Sequence, residues 1–131
     1  MGQRMLIVED DRLLAEAAAD YFTGRGWSVY TEENGARAAA LLMRESFHLI
    51  LLDVTLPGMD GFAVCREIRK VSEVPVVFIT ARVLEEDELN GYSLGADDYV
   101  TKPFSLPVLY AKAMALTRRV HKSAVFLEAG S

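Results

Sequence analysis

Short apolar runs alternate with stretches of helical periodicity along the whole chain. Met5 to Val8 is continuously apolar, which predicts a strand over Arg4 to Val8 covered on both faces. Leu14, Ala17, Ala18, Tyr21 and Phe22 then recur at helical spacing, and Gly24 and Gly26 end that helix. Trp27 to Tyr30 reads as a short strand, Asn34-Gly35 as a turn, and Ala36 to Glu45 as a helix rich in Ala and Leu. Leu49 to Leu52 is a second continuous apolar run, ending in Asp53. A loop, LPGMDG, and a helix over Phe62 to Lys70 follow, and VPVVFIT predicts a third buried strand ending at Thr80. Leu84 to Leu94 reads as a polar helix stopped by Gly95, and Asp98 to Thr101 as a short strand. The last helix, Leu106 to His121, carries Leu109, Ala113, Leu116 and Val120 on one face. Periodicity fades from Lys122 to Ser131, so residues 1–121 are expected to form the domain and 122–131 a linker or chain end.

Five strands alternating with five helices predict an α/β fold with a parallel sheet covered on both faces. Right-handed crossovers leave few windings for such a sheet. Sites in these folds lie outside the carboxyl ends of the strands. Glu9, Asp10, Asp53, Thr80 and Lys102 all fall there, on separate segments.

Composition narrows the picture. The 131 residues are 51% hydrophobic, enough for one domain with a sizeable core. Lys plus Arg number 14 against 19 Asp plus Glu, a net charge of −5, so the domain should not bind a nucleic-acid backbone by itself. No apolar run nears the ~20 residues that span a bilayer, and MGQRMLIVED lacks the apolar stretch of a signal peptide. The single cysteine, Cys65, has no partner for an internal disulfide and points to the cytoplasm; its helical neighbours suit a buried packing role.

VEDD, at the end of the first strand, raises a chemical question. Crowded carboxylates in a low-dielectric place repel unless protons or a cation relieve them. Asp11 is expected to cap the next helix. If the strands ending at Asp10 and Asp53 are neighbours, ~4.8 Å apart, their carboxylates can share one hard cation. Mg²⁺, with oxygen ligands at about 2.0–2.1 Å and waters retained, fits one or two carboxylates plus a phosphate. A carboxylate beside such an ion can attack phosphorus and form an acyl phosphate. Lys102 would then neutralise phosphoryl oxygens, and the Thr80 hydroxyl could donate to one of them.

The ordered set LIVEDD, ILLDVTLPGMDG, VPVVFITA and GADDYVTKPF resembles the receiver domain of two-component response regulators, over about residues 3 to 120. The resemblance implies a flavodoxin-like, doubly wound sheet of strand order 2-1-3-4-5. It implies Asp53 as phosphoacceptor, Glu9, Asp10, Asp53 and the Thr55 backbone carbonyl as contacts for Mg²⁺ (or Mn²⁺), and Thr80 and Lys102 on the phosphoryl group. Lys102-Pro103 matches a peptide bond kept cis. A sensor histidine kinase would supply the phosphoryl group to a switch that assists its own phosphorylation and dephosphorylation. Thr80 would move toward the new dianion and Tyr99 would turn inward behind it. Side chains two positions after the phosphoacceptor and the switch hydroxyl influence hydrolysis; here they are Thr55 and Arg82, with no group to orient water.

GADDYVTKPFS with LTRR is most similar to the subfamily that carries a winged-helix DNA-binding domain after the receiver. Transcription and DNA contact would then run through an effector domain that this sequence does not contain. In that subfamily the fourth helix, fifth strand and fifth helix form a dimer face, implying a homodimer promoted by phosphorylation. Asp97 with Arg119 and Asp98 with Lys112 keep its charge pattern, and Tyr92 and Tyr110 stand at its expected centre. Glu88 and Val108 depart from it. Three other readings fit less well. A phosphatase of the haloacid dehalogenase kind needs a second acid at Thr55. A flavin carrier needs a phosphate loop where EDDRLLAE stands. An interaction module independent of phosphorylation has no need of intact acids with Thr80 and Lys102.

Overall fold

The computed structural model describes residues 2–81 and 95–130, with side chains as far as Arg118. Its elements in chain order are β1 (Arg4–Val8), α1 (Arg12–Thr23), β2 (Ser28–Glu32), α2 (Gly35–Leu42), β3 (Leu49–Asp53), α3 (Gly61–Arg69), β4 (Val76–Thr80), β5 (Asp98–Thr101) and, last, α4 (Leu106–Gly130). All strand pairs are parallel, in the order β2-β1-β3-β4-β5 expected of a flavodoxin-like sheet. Four helices lie among the described residues; the helix expected over residues 84–94 falls outside them, with Arg82, Glu88 and Tyr92.

Strand alternation divides the core in two. Met5, Ile7, Leu49, Leu51, Val77, Ile79 and Val100 meet Ala15, Ala18 and Phe22 of α1 and Leu109, Ala113 and Leu116 of α4. Leu6, Val8, Ile50, Leu52, Val76, Phe78 and Tyr99 face the other way, onto Ala38 of α2 and Val64, Cys65 and Ile68 of α3. β3 and β4 are buried at every position, which is why they read as unbroken apolar runs.

Several boundaries and contacts differ from expectation. β2 runs from Ser28 to Glu32 rather than from Trp27 to Tyr30. On α1 the buried positions are Ala15, Ala18 and Phe22, and Ala17 is exposed. Asn34 caps α2, accepting from the Arg37 N–H at 3.1 Å, and the helix ends at Leu42. The last helix, α4, continues to Gly130, nine residues beyond the expected domain limit at residue 121. Cys65 is buried, as expected, and burial pushes its thiol pKa up.

Candidate functional site

The site grows from three strand ends. β1 and β3 are adjacent, in register through Val8 and Leu52, so the residues after β1 and at the end of β3 converge. Asp11 then starts α1, its carboxylate accepting from the Leu14 N–H at 3.2 Å as an N-cap. Capping turns Asp11 away, leaving Glu9, Asp10 and Asp53. One carboxylate oxygen from each of these three lies within 4.8 Å of the others.

Their environments differ. Glu9 and Asp53 are buried, whereas Asp10 faces solvent. Lys102 arrives from beyond β5, its backbone held by the Thr80 carbonyl at 2.7 Å. Its ammonium lies 2.6 Å from Glu9 Oε1 and 3.0 Å from Asp53 Oδ2. Only the Asp53 contact is directed as a hydrogen bond; Glu9 Oε1 is buried with a charge beside it and no aligned donor. The Asp11 N–H donates to Glu9 Oε2 at 3.1 Å, and the Thr55 N–H donates to Asp53 Oδ1 at 3.0 Å.

The electrostatics follow from this crowding. Burial, followed by hydrogen bonding to Asp53, raises the Glu9 carboxyl from 4.5 to about 7, against the pull of Lys102 and the Asp11 N–H. Burial works to lower the Lys102 pKa, yet the carboxylates of Glu9 and Asp53 beside it prevail and raise it. One cation among three acids leaves excess negative charge. An all-oxygen donor set with an unaligned buried carboxylate oxygen fits a hard divalent cation.

Thr80 ends β4 and is buried, in register with Thr101. Lys102-Pro103 is cis, as the resemblance implied. Tyr99 is 7% exposed, with its ring 5.3 Å from that of Phe78.

Of the residues expected at a dimer face, those described make contacts within the chain. Asp98 pairs with Lys112 inside one chain, at 3.1 Å. Asp97 accepts from the Val76 N–H at 2.8 Å and meets Arg69 at 3.2 Å, so its partner is α3 of its own chain. Arg119 lies on α4, beyond the described side chains. Tyr110 is half-buried and packs toward α1, with ring centroids 5.4 Å from Phe22 and 6.0 Å from Tyr21. Among the described residues, sequence reasoning missed Glu32, Asn34, Gly35 and Gly61 as neighbours of the site. Asn34-Gly35 was visible only as a turn.

A doubly wound sheet whose carboxyl end gathers three acids and a lysine defines an α/β domain built to hold a hard cation and an anionic group together. The particular family follows from comparison: residues 5–114 match the response regulator receiver domain, and the chain belongs to that family. A receiver domain of a Francisella response regulator is 28% identical, with 91% of this chain and 99% of that one covered and a TM-score of 0.85. The N-terminal receiver domain of Klebsiella pneumoniae RstA, in a BeF3-activated form, is 32% identical, with coverage of 88% and 98% and a TM-score of 0.83. The receiver domain of a sensor histidine kinase from Pseudomonas aeruginosa, with magnesium in its active-site cleft, is 30% identical, covering 89% and 98% with a TM-score of 0.82. Receiver domains bind Mg²⁺ at this site and are phosphorylated by sensor histidine kinases. No described helix is long and apolar enough to cross a membrane.

Proposed function

We propose that this receiver accepts a phosphoryl group on Asp53 from a histidine kinase and acts as a cytoplasmic signalling switch. The observation that carries the reading is the Asp53 carboxylate, buried at the end of β3 and held on one oxygen by the Thr55 N–H and on the other by Lys102. These contacts fix the carboxylate plane for attack. An Asp53 oxygen bonds to phosphorus as the phosphorus–nitrogen bond of a phosphohistidine breaks, its electron pair leaving on the imidazole.

Glu9, Asp10, Asp53 and the Thr55 carbonyl would hold Mg²⁺, which supplies charge neutralisation for the acids and the transferring group. Lys102 then turns its ammonium from the Glu9–Asp53 pair to phosphoryl oxygens, and Thr80 donates its hydroxyl to another. Such a movement at the end of β4 is transmitted to β5, where Tyr99 packs on Phe78. The domain assists the transfer to Asp53 and the later hydrolysis that releases inorganic phosphate and restores the carboxylate; it does not turn over a metabolite.

The output is regulated association and, by its similarity to the DNA-binding subfamily, transcription through an effector domain. Consistent with a following domain is the likeness to the RstA receiver, which is an N-terminal domain of its protein. Association through β5 and α4 has to exchange the Asp98–Lys112 pair within the chain for contacts between chains.

Acetyl phosphate tests the assignment. With Mg²⁺, intact mass should show one phosphoryl group on the wild type and none on Asp53→Asn; chelator should abolish the signal, and Asp10→Ala should weaken metal binding. Undiminished modification of Asp53→Asn, without a replacement site, would overturn it.

A further inference from the structure

We infer that the turn Glu32 to Gly35 is the positioning element that sets the spacing of the cation site, a reading that rests on the function proposed above. One side of this turn is tied to the acids after β1: the Glu9 N–H donates to the Glu32 carbonyl at 3.0 Å. The Glu32 carboxylate stiffens its own turn. Its Oε2 accepts from the Glu33 N–H at 2.9 Å, the Asn34 N–H at 3.1 Å and Arg37 Nε at 3.0 Å.

The other side is pressed against the loop that follows Asp53. The Gly35 N–H donates to the Pro57 carbonyl at 3.0 Å, and the same carbonyl accepts from the Met59 N–H at 3.0 Å. Gly35 is buried, and a Cβ there would collide with the Met59 carbonyl. Gly58 adopts φ +84° with its Cα against the Asn34 side chain; a Cβ on it would stand 2.6 Å from Asn34 Oδ1. At Gly35 backbone meets backbone, so added volume there can be accommodated only by moving the loop.

The far end of that loop is pinned as well. The Gly61 N–H donates to the Val54 carbonyl at 2.8 Å, and a Cβ on Gly61 would collide with the Asp53 carbonyl. Residues 54–60 are thus clamped between α3 and the turn, with Thr55 inside the clamp. Glu9 hangs from one side of residues 32–35 and the Thr55 loop rests on the other. The turn therefore fixes how far apart the two halves of the cation site stand. Ligand sets commonly depend on such supporting contacts for their affinity.

The test uses the whole chain, labelled with nitrogen-15, and follows the Thr55 amide during a Mg²⁺ titration. Gly35→Ala should shift that amide before metal is added and weaken Mg²⁺ binding at least tenfold. Asn34→Ser keeps a helix-capping hydroxyl but removes the side chain beneath Gly58, and should weaken binding severalfold. Arg69→Met, at the opposite end of the sheet, should lower stability and change neither readout. Affinity within twofold of wild type in both turn variants, or an equal loss in Arg69→Met, would overturn the inference. If Gly35→Ala does not fold, Asn34→Ser decides alone. A wild-type protein that binds no Mg²⁺ would overturn the proposed function and this inference with it, whereas unaltered variants beside a binding wild type overturn only the inference.

Discussion

Replacing Glu9 by Gln should stabilise the metal-free domain above neutral pH and leave it nearly unchanged in mild acid. Glu9 is buried, and its carboxyl pKa rises from 4.5 to about 7 mainly through that burial. The unfolded chain returns it to the ordinary value, so the folded state holds this proton more tightly. The associated stability is complete below pH 4.5 and is lost as pH climbs through 7. Each pH unit in that window costs about 1.4 kcal/mol, or roughly 3 kcal/mol in all by pH 8. Gln cannot ionise, but it also leaves Lys102 with one carboxylate instead of two, which returns part of the gain. The expected net stabilisation is about 1–3 kcal/mol at pH 8 and near zero at pH 5. Urea denaturation in chelator at the two pH values measures it. Mg²⁺ should reverse the ranking, because it stabilises the wild type by mass action and binds the variant more weakly. A Glu9→Gln protein less stable than wild type at pH 8, or a difference that ignores pH, would refute the reasoning.

Three further outcomes are expected. Asp11→Ala removes the α1 N-cap and should cost about 1 kcal/mol in urea denaturation while phosphorylation by acetyl phosphate persists, since the Glu9 contact comes from the Asp11 backbone. Thr55→Asn supplies a carboxamide beside Asp53 and should shorten the acyl-phosphate lifetime severalfold in a chase by intact mass; an unchanged lifetime counts against water orientation from this position. Tyr110→Ala should cost about 1–3 kcal/mol of stability through its lost contacts with Phe22 and Tyr21. Analytical ultracentrifugation of the BeF3-treated variant should match wild type; selective loss of dimer without loss of stability would restore Tyr110 to an interface.

What was legible in the sequence depended on how many alternatives each residue had. Met5 to Val8, Leu49 to Leu52 and VPVVFIT could only be strands covered on both faces, and the convergence of Glu9, Asp10, Asp53, Thr80 and Lys102 followed from parallel strands ending together. β2 slipped in register because an edge strand with Tyr30 46% exposed has few apolar positions to mark it. On α1, Ala18 and Phe22 were placed on the core side, but Ala17 was taken for Ala15 because AEAAAD offers little contrast between faces. The Glu32–Gly35 turn was read as a turn and no more: its seat on residues 57–59 is a contact between loops that no local pattern records.

Asp97 and Asp98 are the instructive pair. Side by side in GADD, they carry the same chemistry, and the resemblance assigned both to one face. A strand sends successive side chains to opposite sides. Asp98 shares the side of Val100, where α4 packs, and meets Lys112; Asp97 shares the side of Tyr99, where α3 packs, and meets Arg69. Arg69 also donates to the Gly95 carbonyl at 2.6 Å and the Val74 carbonyl at 2.8 Å, so Asp97 belongs to a brace at the base of β4 and β5. An exposed ion pair is worth about 0–1 kcal/mol, so opening Asp98–Lys112 to pair across subunits is nearly neutral. Removing Asp97 from its brace forfeits the Val76 hydrogen bond, made by the same Oδ2 that meets Arg69. Asp98, by contrast, accepts from the Tyr99 N–H at 2.8 Å on the oxygen that Lys112 does not use. The two acids are therefore expected to differ: Asp98 can change its charged partner at little cost, while Asp97 holds the base of β4 and β5 together.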